Sequence, residues 1–301
     1  MATILTLTAN PLLDHLAEAT VVAGAVNRTS RFVTVAGGKG LNVGRVLVRH
    51  GHRVLAAGFA GGEPGRQLAT LAAADGLEPV FTTTAARTRL GFLAVHPAGG
   101  TTSLMEGGAT VEPAEAAALV EQVRSLLAGV ALVVMSGSVP DATCTALYRQ
   151  VLDACARVGV PCWVDAYGPA MDAALAGANP PLLAKPNAQE YAGDHRRWLA
   201  CRELHLTDGS QGVRVRHPEG RYRVLPPPVI EVNPIGCGDT YVAALAHARL
   251  TGLPLIEQLR YAAAAGAANA ARADVAQVGP ADIAPLLDGV RIEALAGEVD
   301  A

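Results

Sequence analysis

Lysine is nearly missing from this 301-residue chain: of its 24 lysine and arginine residues, only Lys39 and Lys185 are lysines. Arginine serves wherever a generic surface cation suffices. A lysine is therefore a choice of compact point charge over planar fork, and both positions become candidates for phosphate contact. Cysteine is also scarce. Cys144, Cys155, Cys162, Cys201 and Cys237 are odd in number and show no C-x-x-C pair or metal-ligand spacing, which argues against a disulfide scaffold and suits reduced thiols in a cytosol. The formal net charge is only −3, so there is no global attraction for nucleic acid or anionic lipid, and an anion must be held locally. Apolar runs such as residues 130–135 fall far short of the roughly 20 residues that span a bilayer, so no membrane association is expected. The opening Met-Ala-Thr-Ile-Leu-Thr-Leu has neither a basic region nor a small-residue cleavage site, and the expectation is a cytoplasmic protein.

What is abundant is apolar surface: half of the residues are hydrophobic, enough for one large core over residues 1–301. From Gly108 onward short apolar strands alternate with amphipathic helices. Residues 112–127 and 143–158 carry helical periodicity, and residues 131–135 and 161–164 read as strands. That rhythm predicts an α/β fold with a doubly wound, mainly parallel sheet and right-handed crossovers. Ligands in such sheets sit beyond the carboxyl ends of the strands. Residues 16–35 and 82–105 break the pattern, with β-branched residues in short alternating runs. They predict antiparallel strands without intervening helices, forming either a small separate sheet or hairpins at the sheet edge.

The sharpest local signal is Asn233-Pro234-Ile235-Gly236-Cys237-Gly238-Asp239-Thr240, read as joining a strand at 229–232 to a helix beginning near Asp239. Glycines at a helix mouth let backbone N–H groups converge on an anion, and the helix dipole favours negative charge there. Asp239 beside such a hole is either a proton acceptor or a helix cap. A second cluster, Gly37-Gly38-Lys39-Gly40-Leu41-Asn42-Val43-Gly44, also leads into a helix. Its glycines permit close approach, Lys39 can meet an anion, and Asn42 can both donate to and accept from hydroxyls. It is not a Walker A loop, because G-x-x-x-x-G-K-[ST] is absent. Asp14, in Asn10-Pro11-Leu12-Leu13-Asp14, is read at the carboxyl end of the first strand, gripping sugar hydroxyls or stabilising a turn. In Lys185-Pro186-Asn187-Ala188-Gln189-Glu190 the i, i+3 pair Asn187 and Glu190 is read on one helical face. Such a pair suits a largely hydrated Mg²⁺ or a polar surface.

Taken in order and spacing, residues 6–14, 37–42, 185–190 and 233–240 make the chain resemble the phosphofructokinase B family of the ribokinase-like superfamily, over nearly its full length. The resemblance implies a Rossmann-like, ribokinase-like domain with a small β-sheet lid drawn from segments 11–36 and 82–107. It implies an ATP- and Mg²⁺-dependent carbohydrate kinase in which Gly236, Cys237 and Gly238 form the anion hole and Asp239 is the base. Asp14, Gly38, Lys39 and Asn42 fall on sugar-binding positions. Lys185, Asn187, Thr207, Gly209, Gly212 and Asn269 fall on the nucleotide side, and Glu190 with Asn187 on the metal, through water. The start Asn10-Pro11-x-x-Asp14 and the pair Asn233-Pro234 resemble 1-phosphofructokinases and tagatose-6-phosphate kinases, so the acceptor implied is a ketohexose phosphate. Arg89 falls where its phosphate is held together with Lys39, Arg28 being a further candidate. The lid is a candidate surface for homodimerisation. Three departures stand out: Cys237 in place of Ala or Ser, Asp208 in place of an apolar residue, and a stretch at 191–202 shortened by a helix. If the helix terminus lowers its pKa, the Cys237 thiol makes the enzyme sensitive to oxidation. The shortened stretch leaves open a sugar-phosphate binder without strong turnover. A dinucleotide oxidoreductase is excluded, since no G-x-G-x-x-G follows the first strand.

Overall fold

The first apolar run of the chain, Thr3–Thr8, forms strand β1 with five of its six residues buried, as a strand covered on both faces requires. The computed structural model describes residues 1–29, 31–191 and 195–295. From β1 the chain continues through β2 (Leu12–Glu18), β3 (Phe32–Gly37), α1 (Lys39–Arg49), β4 (Arg53–Ala60), α2 (Gly62–Ala74) and β5 (Glu78–Thr83). Next come β6 (Arg89–Val95), β7 (Thr101–Met105), α3 (Pro113–Leu126), β8 (Leu132–Ser136), α4 (Leu147–Val158), β9 (Cys162–Asp165) and α5 (Gly168–Leu175). The last part holds β10 (Leu183–Ala184), β11 (Glu203–Thr207), β12 (Val213–His217), β13 (Gly220–Leu225), α6 (Cys237–Leu250), α7 (Leu255–Ala270), α8 (Pro280–Ile283) and β14 (Arg291–Ala294).

Among the described residues, ten strands form one sheet in the order β14-β13-β12-β11-β10-β9-β8-β1-β4-β5. It is parallel from β5 to β11 and antiparallel beyond. The period of two along β1 sends Ile4 to one apolar layer and Leu5 and Leu7 to the other. The first layer packs under α1, α2, α6 and α7, through residues such as Leu41, Leu68, Val242 and Leu259. The second packs under α3, α4 and α5, through Leu119, Tyr148, Leu152 and Met171. Each large side chain so buried contributes about 1.5–3 kcal/mol. No helix among the described residues is long and apolar enough to cross a membrane.

Four strands form a small separate sheet in the order β3-β2-β6-β7. The expectation of wholly antiparallel pairing is corrected at its centre: β2 and β6 run parallel, Leu12 opposite Arg89 and Asp14 opposite Gly91, while the outer pairs are antiparallel. The cause lies in the large sheet. β2 follows β1 and β6 follows β5, and β1, β4 and β5 are parallel, so both chains leave from the same end. A second correction concerns residues 229–232, which are not a strand. Pro226, Pro227 and Pro228 supply no donors, and the amides of Val232 and Asn233 go to the Ala270 carbonyl at the end of α7.

Candidate active site

Helix α6 begins at Cys237, two residues earlier than Asp239, with Gly236 as its N-cap at φ 83°. That left-handed conformation favours glycine, and a Cβ there would also meet Val275 Cγ1 at 2.7 Å. The turn is tied from below. Asn269, fully buried, donates to the Ile235 carbonyl at 2.8 Å and to Cys237 Sγ at 3.4 Å, and accepts from the Ala276 amide at 2.8 Å. Its amide capacity is thus spent holding the Gly236–Gly238 turn, whereas the sequence places it at the nucleotide. Cys237 is corrected as well: burial pushes its thiol up to about 11, against the opposing hydrogen bond from Asn269, so the expected lowering is not found.

Asp239 stands in the first turn of α6, 5% exposed, and accepts from Asn42 Nδ2 at 2.8 Å. Burial and the nearby charge of Asp165 raise its pKa to about 6, against the opposing pull of Lys39, Asn42 and Lys185. Asn42 is itself fixed: its Oδ1 accepts from Arg45 Nη1 at 2.9 Å, and Arg45 also grips Asp75 and the Ala36 carbonyl, each at 2.8 Å. Gly38 opens α1 at φ 131°, where a Cβ would strike Thr8 Cγ2 at 2.6 Å. Asp239 and Asn42, 197 residues apart in sequence, thus meet where α1 and α6 begin.

Both lysines converge on one carboxylate that sequence reasoning missed. Asp165, at the end of β9 and 1% exposed, faces Lys39 Nζ at 3.2 Å through Oδ1 and Lys185 Nζ at 3.3 Å through Oδ2. Burial opposes its ionisation, but the two ammonium groups outweigh it and hold the pKa below the ordinary carboxylate range. Lys39 also meets Glu190 Oε1 at 3.2 Å. Burial alone would discharge Lys39, yet Asp165, Asp239 and Glu190 keep its ammonium form favoured. Lys185 Nζ lies 3.0 Å from where a Gly238 Cβ would be, so glycine there lets a cation sit on the turn. The signal for Asp165 in sequence was only a lone acid closing an apolar strand.

Asn187 and Glu190 are not on a helix, as the spacing suggested, but on a turn. Asn187 Oδ1 accepts from the Glu190 amide at 2.8 Å and Glu190 Oε2 from the Asn187 amide at 2.9 Å. Local side-chain-to-backbone bonds compete here with helix formation. The same turn meets the nucleotide-side loop, with the Thr207 amide donating to the Pro186 carbonyl and the Ala188 amide to the Thr207 carbonyl. Gly209 is exposed. Gly212 is buried against Val224, whose carbonyl a Cβ would meet at 2.3 Å, so its smallness serves packing. In the shortened stretch 191–202, residues 192–194 lie outside the described residues, and His195–Ala200 is a 3₁₀ segment.

The small sheet supplies a separate cluster. Asp14 lies on β2, not at the end of the first strand as expected. Burial raises its pKa against the nearby charges of His15 and Arg89. Arg89 on β6 donates to the carbonyls of Glu106 at 3.2 Å and Asn10 at 3.0 Å, which leaves its charge facing Asp14. Asp14 Oδ1 and Arg89 Nε are buried without hydrogen-bond partners. Asp14, Gly38 and Asn42 border a cavity of about 290 Å³ between the small sheet and the 272–277 loop. Lys39 and Arg89 both approach Tyr167, but their partners divide them, Lys39 toward Asp165 and Glu190 and Arg89 toward Asp14. Arg28 is exposed.

Among the described residues no group of three His, Cys, Asp or Glu side chains is placed to hold a metal alone. Glu190, Asp165 and Asn187 offer a sparse oxygen set, which fits a Mg²⁺ that keeps most of its waters and takes other ligands from phosphate.

Comparison with known proteins places the chain in a family. The profile described as pfkB family carbohydrate kinase matches residues 10–280. Phosphofructokinase-2 from Escherichia coli, in a structure with fructose-6-phosphate, is 27% identical with a TM-score of 0.83, over 96% of this chain and 99% of that one. A Thermotoga maritima protein described as a possible 1-phosphofructokinase is 21% identical with a TM-score of 0.87, over 98% and 100% of the two chains. Arabidopsis thaliana ribokinase, solved with ribose and ATP, is 19% identical with a TM-score of 0.69, over 95% and 99%. The last two show likeness of fold.

Proposed function

The chain belongs to the pfkB family of carbohydrate kinases, and we propose that within it the enzyme transfers the γ-phosphoryl group of ATP to a hydroxyl of a ketohexose phosphate, giving a sugar bisphosphate. The family implies ATP use; the choice of acceptor and the residue roles are the proposal. The observation that carries it is Asp239: a buried carboxylate with pKa raised to about 6, held by Asn42 at the mouth of a glycine turn. A base needs a pKa near the working pH and a position within reach of the hydroxyl proton. Asp239 takes that proton. The Gly236, Cys237 and Gly238 amides, with Lys185 beside them, stabilise charge developing on the transferred group. Lys39, Lys185, Asn187, Thr207 and Gly209 line the nucleotide side, and Asn269 keeps the turn in shape from below. Glu190, Asp165 and Asn187 would hold Mg²⁺, largely through water, and the ion would offset phosphate charge. Asp14 takes sugar hydroxyls and Arg89 the phosphate the sugar already carries. The small sheet acts as lid to a single domain and as the surface for a second copy.

Initial rates of ATP consumption on fructose 1-phosphate, fructose 6-phosphate, tagatose 6-phosphate and free fructose test this reading. A charge-assisted contact to phosphate contributes about 1.5–3 kcal/mol, so at least one ketohexose phosphate should exceed free fructose by roughly 10- to 100-fold in kcat/KM. Arg89→Met should erase most of that preference. Preference of the wild type for free fructose would overturn the acceptor assignment. Binding of sugar phosphate with no ATP consumption on any of the four would make the protein a binder, the alternative that the shortened 191–202 stretch favours.

A further inference from the structure

Strand β11 lies inside the large sheet, between β10 and β12, and a strand covered on both faces is expected to be apolar throughout. Its period of two instead sets the buried Glu203 and His205 on one face, with Leu204 and Leu206 on the other. The polar face meets α6. His205 Nδ1 and the Tyr241 hydroxyl are 2.7 Å apart, and Arg249 donates through Nη1 and Nη2 to the two Glu203 oxygens, each at 2.8 Å. The remaining Arg249 donor, Nε, goes to Gln258 Oε1 on α7 at 3.1 Å. Its guanidinium also lies over the Trp163 ring of β9, 4.9 Å from the centroid. Burial opposes the ionisation of Glu203, but the hydrogen bonds from His205 and Arg249 outweigh it and hold its pKa down to about 2. Arg249 thereby joins β9, β11, α6 and α7, and each of these carries a site group near its other end. Asp165 closes β9, Thr207 closes β11, Asp239 stands in the first turn of α6 and Asn269 in the last turn of α7.

A buried ion pair is a poor source of stability. Two apolar side chains of similar volume commonly serve as well or better, while removing one partner alone strands a charge. What a forked guanidinium supplies and apolar packing does not is direction, since three donors and a ring contact fix one placement of each element against the others. We propose that Arg249, paired with Glu203, is a positioning residue for phosphoryl transfer, setting α6 against β9 and β11 and so placing Asp239 and its glycine turn against Asp165 and Thr207. Arg249 lies about 15 Å beyond Asp239 along α6, too far to touch the reacting groups. It acts through the helix: a slip of α6 at its far end carries Asp239 with it, because the helix between them is rigid.

The kinetic consequence rests on the kinase reading, whereas the placement of Asp239 can be read without turnover. The test replaces the pair as a whole. Glu203→Met with Arg249→Met should unfold at or above the wild-type temperature, and Arg249→Met alone well below it. Despite its stability the double variant should lose about 10- to 100-fold in kcat, the effect of an ångström-scale misplacement. Its KM for sugar phosphate should change by less than about twofold, because the proposed sugar contacts lie on α1 and the small sheet. The titration of Asp239, followed by NMR of ¹³C-labelled aspartate and assigned with Asp239→Asn, should move by about half a unit or more as its distance from Asp165 changes. If the double variant does not fold, Arg249→Lys takes its place: it keeps the charge, loses the fork, and should show the same kcat loss and titration shift. Wild-type kcat in the folded variant, or an Asp239 titration that stays where it is, would overturn the proposal and leave the pair a structural one. If the wild type turns over no sugar, the kinase reading fails and the Asp239 titration alone decides the positioning role.

Discussion

At the scale of single residues the site turns on Asp239. Burial and the Asp165 charge disfavour its ionised form, and its pKa of about 6 stands well above the ordinary 3.8. In its proposed role as base the active form is the ionised one, so kcat/KM should fall as pH drops through about 6. Asp239→Asn should remove that limb and lower kcat by about 10²–10⁴. A profile flat down to pH 5, with chemistry rate-limiting, would remove Asp239 as base. Stability carries the opposite sign. The folded state binds this proton more tightly than the unfolded chain, so its contribution is present below pH 3.8 and lost as pH rises through about 6. Asp239→Asn should therefore raise stability at pH 7 by on the order of 1–3 kcal/mol. Thermal unfolding at pH 7 and pH 4 checks this, the gain shrinking at the lower pH. Asp239 was legible in sequence because glycines frame it. Asp165 was not, since what gives it meaning is two lysines from distant segments.

At the scale of elements, α1 brings Asn42 to Asp239. Its three-way Arg45 contact to Asp75, Asn42 and Ala36 fixes which end of the Asn42 amide faces Asp239. Arg45→Met leaves buried polar groups unpaired and should destabilise by about 1–3 kcal/mol. It should also move the acid limb of kcat/KM to higher pH, because the Asn42 hydrogen bond lowers the Asp239 pKa. A loss of stability with the limb unmoved would make Arg45 structural only. Helices α3 and α4 and strands β8 and β9 were legible from period and length, and the glycine-led starts of α1 and α6 from composition. What was not legible depends on partners elsewhere. The parallel β2–β6 pair follows from where the large sheet releases the chain. The Asn187–Glu190 turn follows from side chains bonding backbone amides, and residues 232–233 bond a helix end in place of a strand.

At the scale of the whole molecule, the small sheet presents one face inward with Asp14 and leaves an apolar face outward. Across its register Leu104 lies opposite Phe92, Phe92 opposite His15, and His15 opposite Thr34, while Phe32 stacks against both His15 and Phe92. On this face Phe32 and Leu104 are exposed at 57% and 67%. Adjacent apolar side chains on one sheet mark an interaction surface, unlike apolar residues scattered singly. A second copy offers the same band in return, and a symmetric pair covers both at once. Light scattering at micromolar concentration should give the mass of a dimer for the wild type. Each large apolar side chain buried contributes about 1.5–3 kcal/mol, so Phe32→Glu with Leu104→Glu should weaken association by at least about 10²-fold. The variant should run as a monomer with the unfolding temperature of the large sheet little changed, since neither residue belongs to either apolar layer. A wild type that is monomeric throughout, or a double variant that keeps the dimer mass, would show that this face is not the interface.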